Sequence, residues 1–155
     1  MEKNLDKAKG YIYNLLRVRP RSEKEIRIKL DSKGFDKSIF EKTITLFREN
    51  GLIDDDKFAQ AWVESRLRTM PKGDIALRQE LKEKGISKEI IEKVLFGKKE
   101  SEEVVAGRLA EERIRRMAGL PKLKVKKRLY DYLMRRGFKY EIIEDVVRKM
   151  FVEYE

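Results

Sequence analysis

The sequence predicts an all-α protein built from three tandem three-helix repeats, each a helix-turn-helix-like module. The first observation behind this is an apolar pattern centred on a glycine that occurs three times. Leu30–Gly34–Phe35–Ile39–Ile44 matches Leu81–Gly85–Ile86–Ile90–Leu95, and both match Leu133–Gly137–Phe138–Ile142–Val147. The three glycines stand 51 and 52 residues apart, and Ile26, Leu77 and Leu129 each lie eight positions before one of them. A fixed period of this length with constant apolar offsets marks a repeat array. The second observation is that Pro20, Pro71 and Pro121 each follow a further helical stretch, which makes the unit three helices long. The third is that no segment alternates apolar and polar residues as a strand does.

The repeats are placed at 1–56, 57–103 and 104–155. A unit of this size has a marginal core alone, so neighbouring units must share surface. Within each unit the glycine takes the left-handed conformation that ends one helix, and the next helix starts one or two residues later.

In the first repeat a helix is expected from Leu5 to Arg17, with Ile12, Leu15 and Leu16 facing inward. Ser22-Glu23-Lys24-Glu25 is a capping box that starts a second helix, running to Lys33. Asp36 is expected to cap the third helix and Gly51 to end it, with Leu52 and Ile53 burying a short connector. The triplet Asp54-Asp55-Asp56 offers three carboxylates to a Mg²⁺ ion. Adjacent residues point apart, however, and acidic side chains at a helix N-terminus cap it and favour its dipole, so a cap is the expected role.

The second repeat opens with a helix over Lys57–Thr69 whose inner face carries Phe58, Trp62, Val63 and Leu67, with Arg66 and Arg68 on the other side. Trp62 is expected in the core rather than as a base-stacking platform. Pro71-Lys72-Gly73-Asp74 turns into a helix with Ile75, Leu77 and Leu81 as its apolar stripe. Ser87 opens the next, in which Ile90, Ile91, Val94 and Leu95 face inward, and Phe96-Gly97 ends the repeat. In the third repeat Ser101 is a cap for a helix reaching Ala118, with Val104, Val105, Leu109 and Ile114 as apolar positions. Gly119 and Pro121 break it. Val125, Leu129 and Leu133 face inward from the eighth helix, and Ile142, Ile143, Val146 and Val147 from the last, over Tyr140–Phe151.

Charge separates the third repeat from the others. The chain carries 38 basic and 28 acidic residues, a net +10. Residues 104–151 hold 14 of the basic and 6 of the acidic ones, whereas each of the first two repeats is close to balance. Lys122, Lys124, Lys126, Lys127, Arg128, Arg135 and Arg136 crowd one helix. Such an excess asks for an anionic partner, and nucleic acid fits better than a membrane, because the basic helix lacks the broad apolar face that interfacial insertion needs.

The chain has neither cysteine nor histidine. Thiolate and imidazole metal sites, disulfides, cysteine nucleophiles and histidine general bases are therefore excluded. No Gly-rich phosphate loop or nucleophile elbow occurs. The expectation is a binding protein without cofactor, catalytic residue or metal, not an enzyme, and a soluble cytoplasmic one. The helices that follow the glycine turns offer few side chains for base readout, so any DNA affinity should be nonspecific and salt-sensitive.

Arg21-Ser22-Glu23-Lys24-Glu25 with Lys33-Gly34-Phe35 resembles the first motif of the RecX regulatory-protein family. Gly51-Leu52-Ile53-Asp54-Asp55-Asp56-Lys57-Phe58-Ala59 resembles its GLIDD-x-x-FA segment. Pro71-Lys72-Gly73, Leu77-Arg78-Gln79-Glu80-Leu81 and Lys84-Gly85-Ile86 resemble its most characteristic stretch. The similarity spans nearly the whole chain, and the third repeat, which has no counterpart of Gln79-Glu80, departs most. The resemblance implies an elongated, curved array of three three-helix modules. It also implies a protein that binds the RecA recombinase and its filament on single-stranded DNA. Such a protein blocks filament extension or promotes disassembly, and so restrains strand exchange and the coprotease activity. A monomer with weak nonspecific DNA affinity and no membrane partner is expected. Contact is expected from Arg66, Arg68, Lys72, Arg78, Lys124, Lys127, Arg128, Arg135 and Arg136. Competing readings are a nonspecific DNA-binding protein that displaces recombinase from DNA, and a Mg²⁺-dependent nuclease using Asp54 to Asp56.

Overall fold

The computed structural model describes residues 2–153. Among these the chain forms nine α-helices and no strand: α1 (Glu2–Val18), α2 (Glu23–Ser32), α3 (Lys37–Glu49), α4 (Asp55–Thr69), α5 (Asp74–Glu83), α6 (Lys88–Phe96), α7 (Glu102–Arg115), α8 (Lys122–Arg135) and α9 (Tyr140–Glu153). Three consecutive triplets make the three repeats.

The recurring glycine ends the second helix of each triplet in the same way. Gly34, Gly85 and Gly137 have φ of 82°, 80° and 83°. Their N–H groups donate to Asp31, Lys82 and Met134, each at 3.0 Å. The N–H groups of the following residues, Phe35, Ile86 and Phe138, donate to Leu30, Leu81 and Leu133 at 3.3, 3.1 and 3.2 Å. This is the paired Schellman arrangement, which satisfies two carbonyls left open at a helix end. A leucine is thus both carbonyl acceptor and core anchor. Leu30, Leu81 and Leu133 are fully buried, as are Ile26, Leu77 and Leu129 one turn earlier.

Helix starts follow the local chemistry. Ser22 Oγ accepts from the Glu25 N–H at 3.3 Å while Glu25 reaches back to the Ser22 N–H, closing the capping box. Ser87 and Ser101 accept from the N–H groups of Ile90 and Val104, each at 3.3 Å. Asp36 departs from expectation: its carbonyl takes the first bonds of α3, but its side chain makes no cap hydrogen bond.

The described residues group into two compact units. One comprises residues up to Trp62 together with Leu81–Val94; the other comprises Val63–Glu80 together with residues from Leu95 on. The division cuts α4, α5 and α6, so the second repeat supplies residues to both.

In the first unit, Ala8, Ile12, Ile26, Leu30, Ile39, Phe40, Ile44, Phe47 and Ile53 form a core, with Leu5, Tyr11, Leu16 and Phe35 packed against it. The turn at Gly85 lies on the start of α2: a Cβ on Gly85 would stand 2.6 Å from the Lys24 Cβ. Asp55 Oδ1, at the start of α4, accepts from the Glu23 N–H that opens α2 at 2.9 Å.

In the second unit the core joins Val105, Leu109 and Met117 with Val125, Leu129 and Leu133 of α8 and Ile142, Ile143, Val146 and Val147 of α9, and Leu67 of α4 packs on it. The contact just described recurs here between other helices. A Cβ on Gly137 would stand 2.6 Å from the Ala76 nitrogen of α5. The N–H groups of Gly73 and Ile75 donate to the carbonyls of Arg136 and Gly137 at 2.7 and 3.1 Å. Glu102 of α7 accepts from the Asp74 N–H that opens α5 at 2.7 Å.

Three apolar expectations are corrected. Leu52, Ile75 and Val104 are exposed. Leu52 belongs to the Schellman turn at Gly51, where its N–H donates to Phe47 and only Ile53 turns inward. Ile75 and Val104 lie in the first turns of α5 and α7, where the backbone is already engaged by Gly137 and Ser101 and the inner positions fall to Leu77 and Val105. Helix α7 ends at Arg115, not Ala118, and residues 116–119 are turn.

Candidate partner-binding surface

All nine residues singled out for contact fall in the second unit. They divide by what already holds them. Arg66 Nε donates to Glu80 Oε1 at 2.7 Å, and Lys72 Nζ donates to Glu80 Oε2 at 3.2 Å, so one half-buried carboxylate joins the end of α4 to α5. The Arg136 guanidinium donates to the Pro71 carbonyl at 3.2 Å and lies over the Tyr132 ring, 5.3 Å from its centroid. It ties the end of α8 to the turn that precedes α5. Arg78 is half-buried, and Arg68 is exposed near the end of α4.

Lys124, Lys127, Arg128 and Arg135 of α8 are exposed. Spacings of four and seven residues put Lys124, Arg128 and Arg135 on one helical face, because 3.6 residues make a turn. Their buried counterparts Val125, Leu129 and Leu133 hold the opposite face in the core. Two more arginines meet this face: Arg113 and Arg116 at the end of α7 line one cleft with Arg128, Asp131 and Arg135. The sequence reading did not include these two. The available signal was the run Arg113-Ile114-Arg115-Arg116 just before Gly119.

Several basic residues elsewhere are held in ion pairs. In the first unit Arg27 pairs with Glu23 and Glu41, Arg48 with Glu23, and Lys93 with Asp56. In the second, Arg108 pairs with Glu100, and Arg148 and Lys149 with Asp145, whose carboxyl these two hydrogen bonds hold below its usual range. Among the described residues, Arg113, Arg116, Arg128 and Arg135 take part in no ion pair. Four arginines of the third repeat thus share one cleft with a single carboxylate, Asp131, and their fields add there.

The acidic triplet acts on helix ends. Asp54 Oδ1 accepts from the N–H groups of Asp56 and Lys57 at 3.0 and 3.2 Å and caps α4. Asp55 turns to α2, and burial pushes its carboxyl above the usual value. Asp56 pairs with Lys93 at 2.8 Å. The three carboxylates thus have three different partners, and among the described residues no group of three potential ligands could hold a metal ion. Trp62 is half-buried: its ring stacks on Phe58 at 5.9 Å, and Lys84 Nζ lies 5.2 Å from its centroid. Among the described residues no helix is long and apolar enough to cross a membrane.

Three three-helix repeats, each turning on a left-handed glycine between its second and third helices, define an all-α tandem-repeat protein. Family comparisons match it repeat by repeat. Residues 8–45 match the first three-helix domain of RecX, residues 54–95 the second and residues 101–147 the third. The chain is 32% identical over 154 residues to the regulatory protein RecX of Amycolatopsis mediterranei, covering 99% of this chain and 88% of that protein. It is 34% identical over 146 residues to the RecX of Chlorobaculum tepidum, covering 94% and 89%. The crystal structure of RecX from Lactobacillus salivarius shares the fold, with a TM-score of 0.88, 23% identity and coverage of 98% and 99%. The chain belongs to the RecX family.

Proposed function

We propose that this chain is a regulatory protein that binds RecA recombinase and its filament on single-stranded DNA. It blocks filament extension or promotes disassembly, and so inhibits strand exchange and coprotease activity. The observation that carries this reading is the match of all three RecX domains, in order, along one chain. The protein acts in the cytoplasm as a monomer, by binding alone and without a cofactor.

Tandem repeats offer several modest contacts to successive subunits of a polymer, which raises effective concentration without one strong contact. The proposed contacts are Lys124, Lys127, Arg128 and Arg135 of α8, with Arg136 at its end, and Arg66, Arg68, Lys72 and Arg78 around α4 and α5. The exposed α8 residues carry most of the attraction to an anionic filament, because Arg66 and Lys72 must give up Glu80 to take another partner. Binding that favours one arrangement of recombinase subunits shifts the filament equilibrium without ATP hydrolysis by this chain.

Titration of the protein into recombinase filaments, with ATPase and strand exchange followed together, tests the reading. Inhibition at well below one molecule per recombinase subunit is expected. Inhibition only when the protein saturates the DNA would instead favour simple competition for DNA.

A further inference from the structure

We infer that Asn50, at the end of α3, is a site of spontaneous amide loss that the turn into α4 holds closed. An asparagine loses its amide when the backbone nitrogen of the next residue attacks the side-chain carbonyl carbon. The bond from that nitrogen to Cγ forms and the Cγ–Nδ2 bond breaks. Ammonia leaves, carrying the proton of the attacking amide, and a cyclic imide remains. Water then opens the imide at either carbonyl, giving aspartate or isoaspartate, whose backbone is one carbon longer.

Attack is easiest where the next residue is glycine, because no side chain shields the nitrogen. Asn4 and Asn14 precede leucines within α1, whereas Asn50 precedes Gly51. Asn50 and Gly51 are both exposed, and among the described residues the Asn50 side-chain amide has no hydrogen-bond partner.

The turn blocks the reaction in two ways. Closing the ring needs the Gly51 nitrogen eclipsed with Asn50 Cβ about the Cα–C bond. Asn50 has a ψ of 1°, which eclipses that nitrogen with the Asn50 backbone nitrogen instead, roughly a third of a turn away. The Gly51 N–H is also engaged, donating to the Arg48 carbonyl at 3.0 Å. The next two amides lock this arrangement. Those of Leu52 and Ile53 both donate to the Phe47 carbonyl, at 2.8 and 3.1 Å, and Phe47 and Ile53 are buried.

Gly51 supplies the left-handed φ of 72° that the Schellman turn needs. One glycine thus makes its neighbour reactive and closes the geometry that protects it. Gly34, Gly85, Gly119 and Gly137 also have positive φ but follow lysine, alanine or arginine, so among the described residues only this turn couples the two. The step is one-way. Isoaspartate at this position lengthens the turn, so the bonds to the Arg48 and Phe47 carbonyls cannot all re-form. Asp54, the cap of α4, follows directly, so the passage from α3 to α4 is loosened.

The inference is independent of any partner, and its test needs the full chain alone. The parent, the Ile53→Val variant and a synthetic peptide of residues 49–57 are incubated side by side at mildly alkaline pH. Trypsin releases residues 49–57 from the protein, and chromatography with mass spectrometry resolves the asparagine, aspartate and isoaspartate forms. The folded parent should convert at least about tenfold more slowly than the peptide, because it reacts only when the turn opens locally. Parent held in denaturing urea should match the peptide. Ile53→Val, which trims a buried anchor of the turn, should convert about two- to tenfold faster than the folded parent. Both products should form. Equal rates for folded parent and peptide would overturn the inference, as would an unchanged rate in Ile53→Val or earlier conversion at Asn4 or Asn14. Aspartate as the sole product would also overturn it, because water rather than the Gly51 nitrogen would then be the attacking group.

Discussion

Glu102 of α7 closes the start of α5, its carboxylate accepting the Asp74 backbone N–H at 2.7 Å. Asp55 of α4 does the same for α2 through the Glu23 N–H at 2.9 Å. In both cases a carboxylate in the first turn of one helix triplet satisfies the start of the middle helix of the triplet before it. Burial is the largest influence on both groups and raises both above their ordinary values.

Replacing Glu102 by alanine leaves the Asp74 N–H without that acceptor, and the expected loss is about 1–3 kcal/mol in denaturant unfolding. The pH dependence has a definite sign. A carboxyl whose folded value is raised contributes stability that is fully present below its unfolded value, 4.5 for Glu102, and is lost as pH rises through the folded value. The parent should therefore lose more stability than Glu102→Gln between acid and neutral pH. Parallel unfolding curves at both pH values would contradict this.

The three turn glycines provide an internal comparison. Gly34 has open space around a built Cβ, whereas Gly85 and Gly137 face Lys24 and Ala76. Gly34→Ala should cost about 1–2 kcal/mol, the price of a left-handed L-residue. Gly85→Ala and Gly137→Ala should each cost about 1–3 kcal/mol more from crowding. Chemical denaturation of the three variants side by side measures the difference.

Asp54→Ala should lose about 1 kcal/mol of stability as a helix cap. Asp56→Ala should lose less, because its pair with Lys93 is on the surface. Added Mg²⁺ should leave the thermal midpoint unchanged in the parent and in both variants, and DNA incubated with protein and Mg²⁺ should stay intact. A metal-dependent rise in the midpoint that Asp54→Ala abolishes would revive the nuclease reading.

Reversing charge at Lys127, Arg128 and Arg135 together should abolish most inhibition of recombinase filaments at physiological salt. All three side chains are exposed, so the fold should survive, which circular dichroism can verify. Unchanged inhibition in a folded variant would remove the α8 face from the mechanism.

The repeat was legible in the sequence because its determinants are local. A glycine ending a helix, a leucine four residues earlier and the apolar residue after the glycine leave the same trace three times. Ile75 and Val104 escape periodicity because it cannot tell an inner position in a helix's first turn from one whose backbone is engaged elsewhere, and Leu52 because it lies in a turn, where no helical period applies. The basic excess of α8 was equally plain. What periodicity could not show was pairing between helices: that Glu80 holds Arg66 and Lys72, or that Arg113 and Arg116 come to share a cleft with Arg128 and Arg135. Those relations exist only once the helices have packed.

The carboxylates that reach back across the junctions have a practical consequence for anyone dissecting this chain. A fragment cut just after α3 would carry α2 with its first amide unfinished, and one cut after α6 would do the same to α5. The seam, not the three-helix brick, is the smallest part that can be transplanted intact, so a chimera should exchange segments that begin and end inside a repeat.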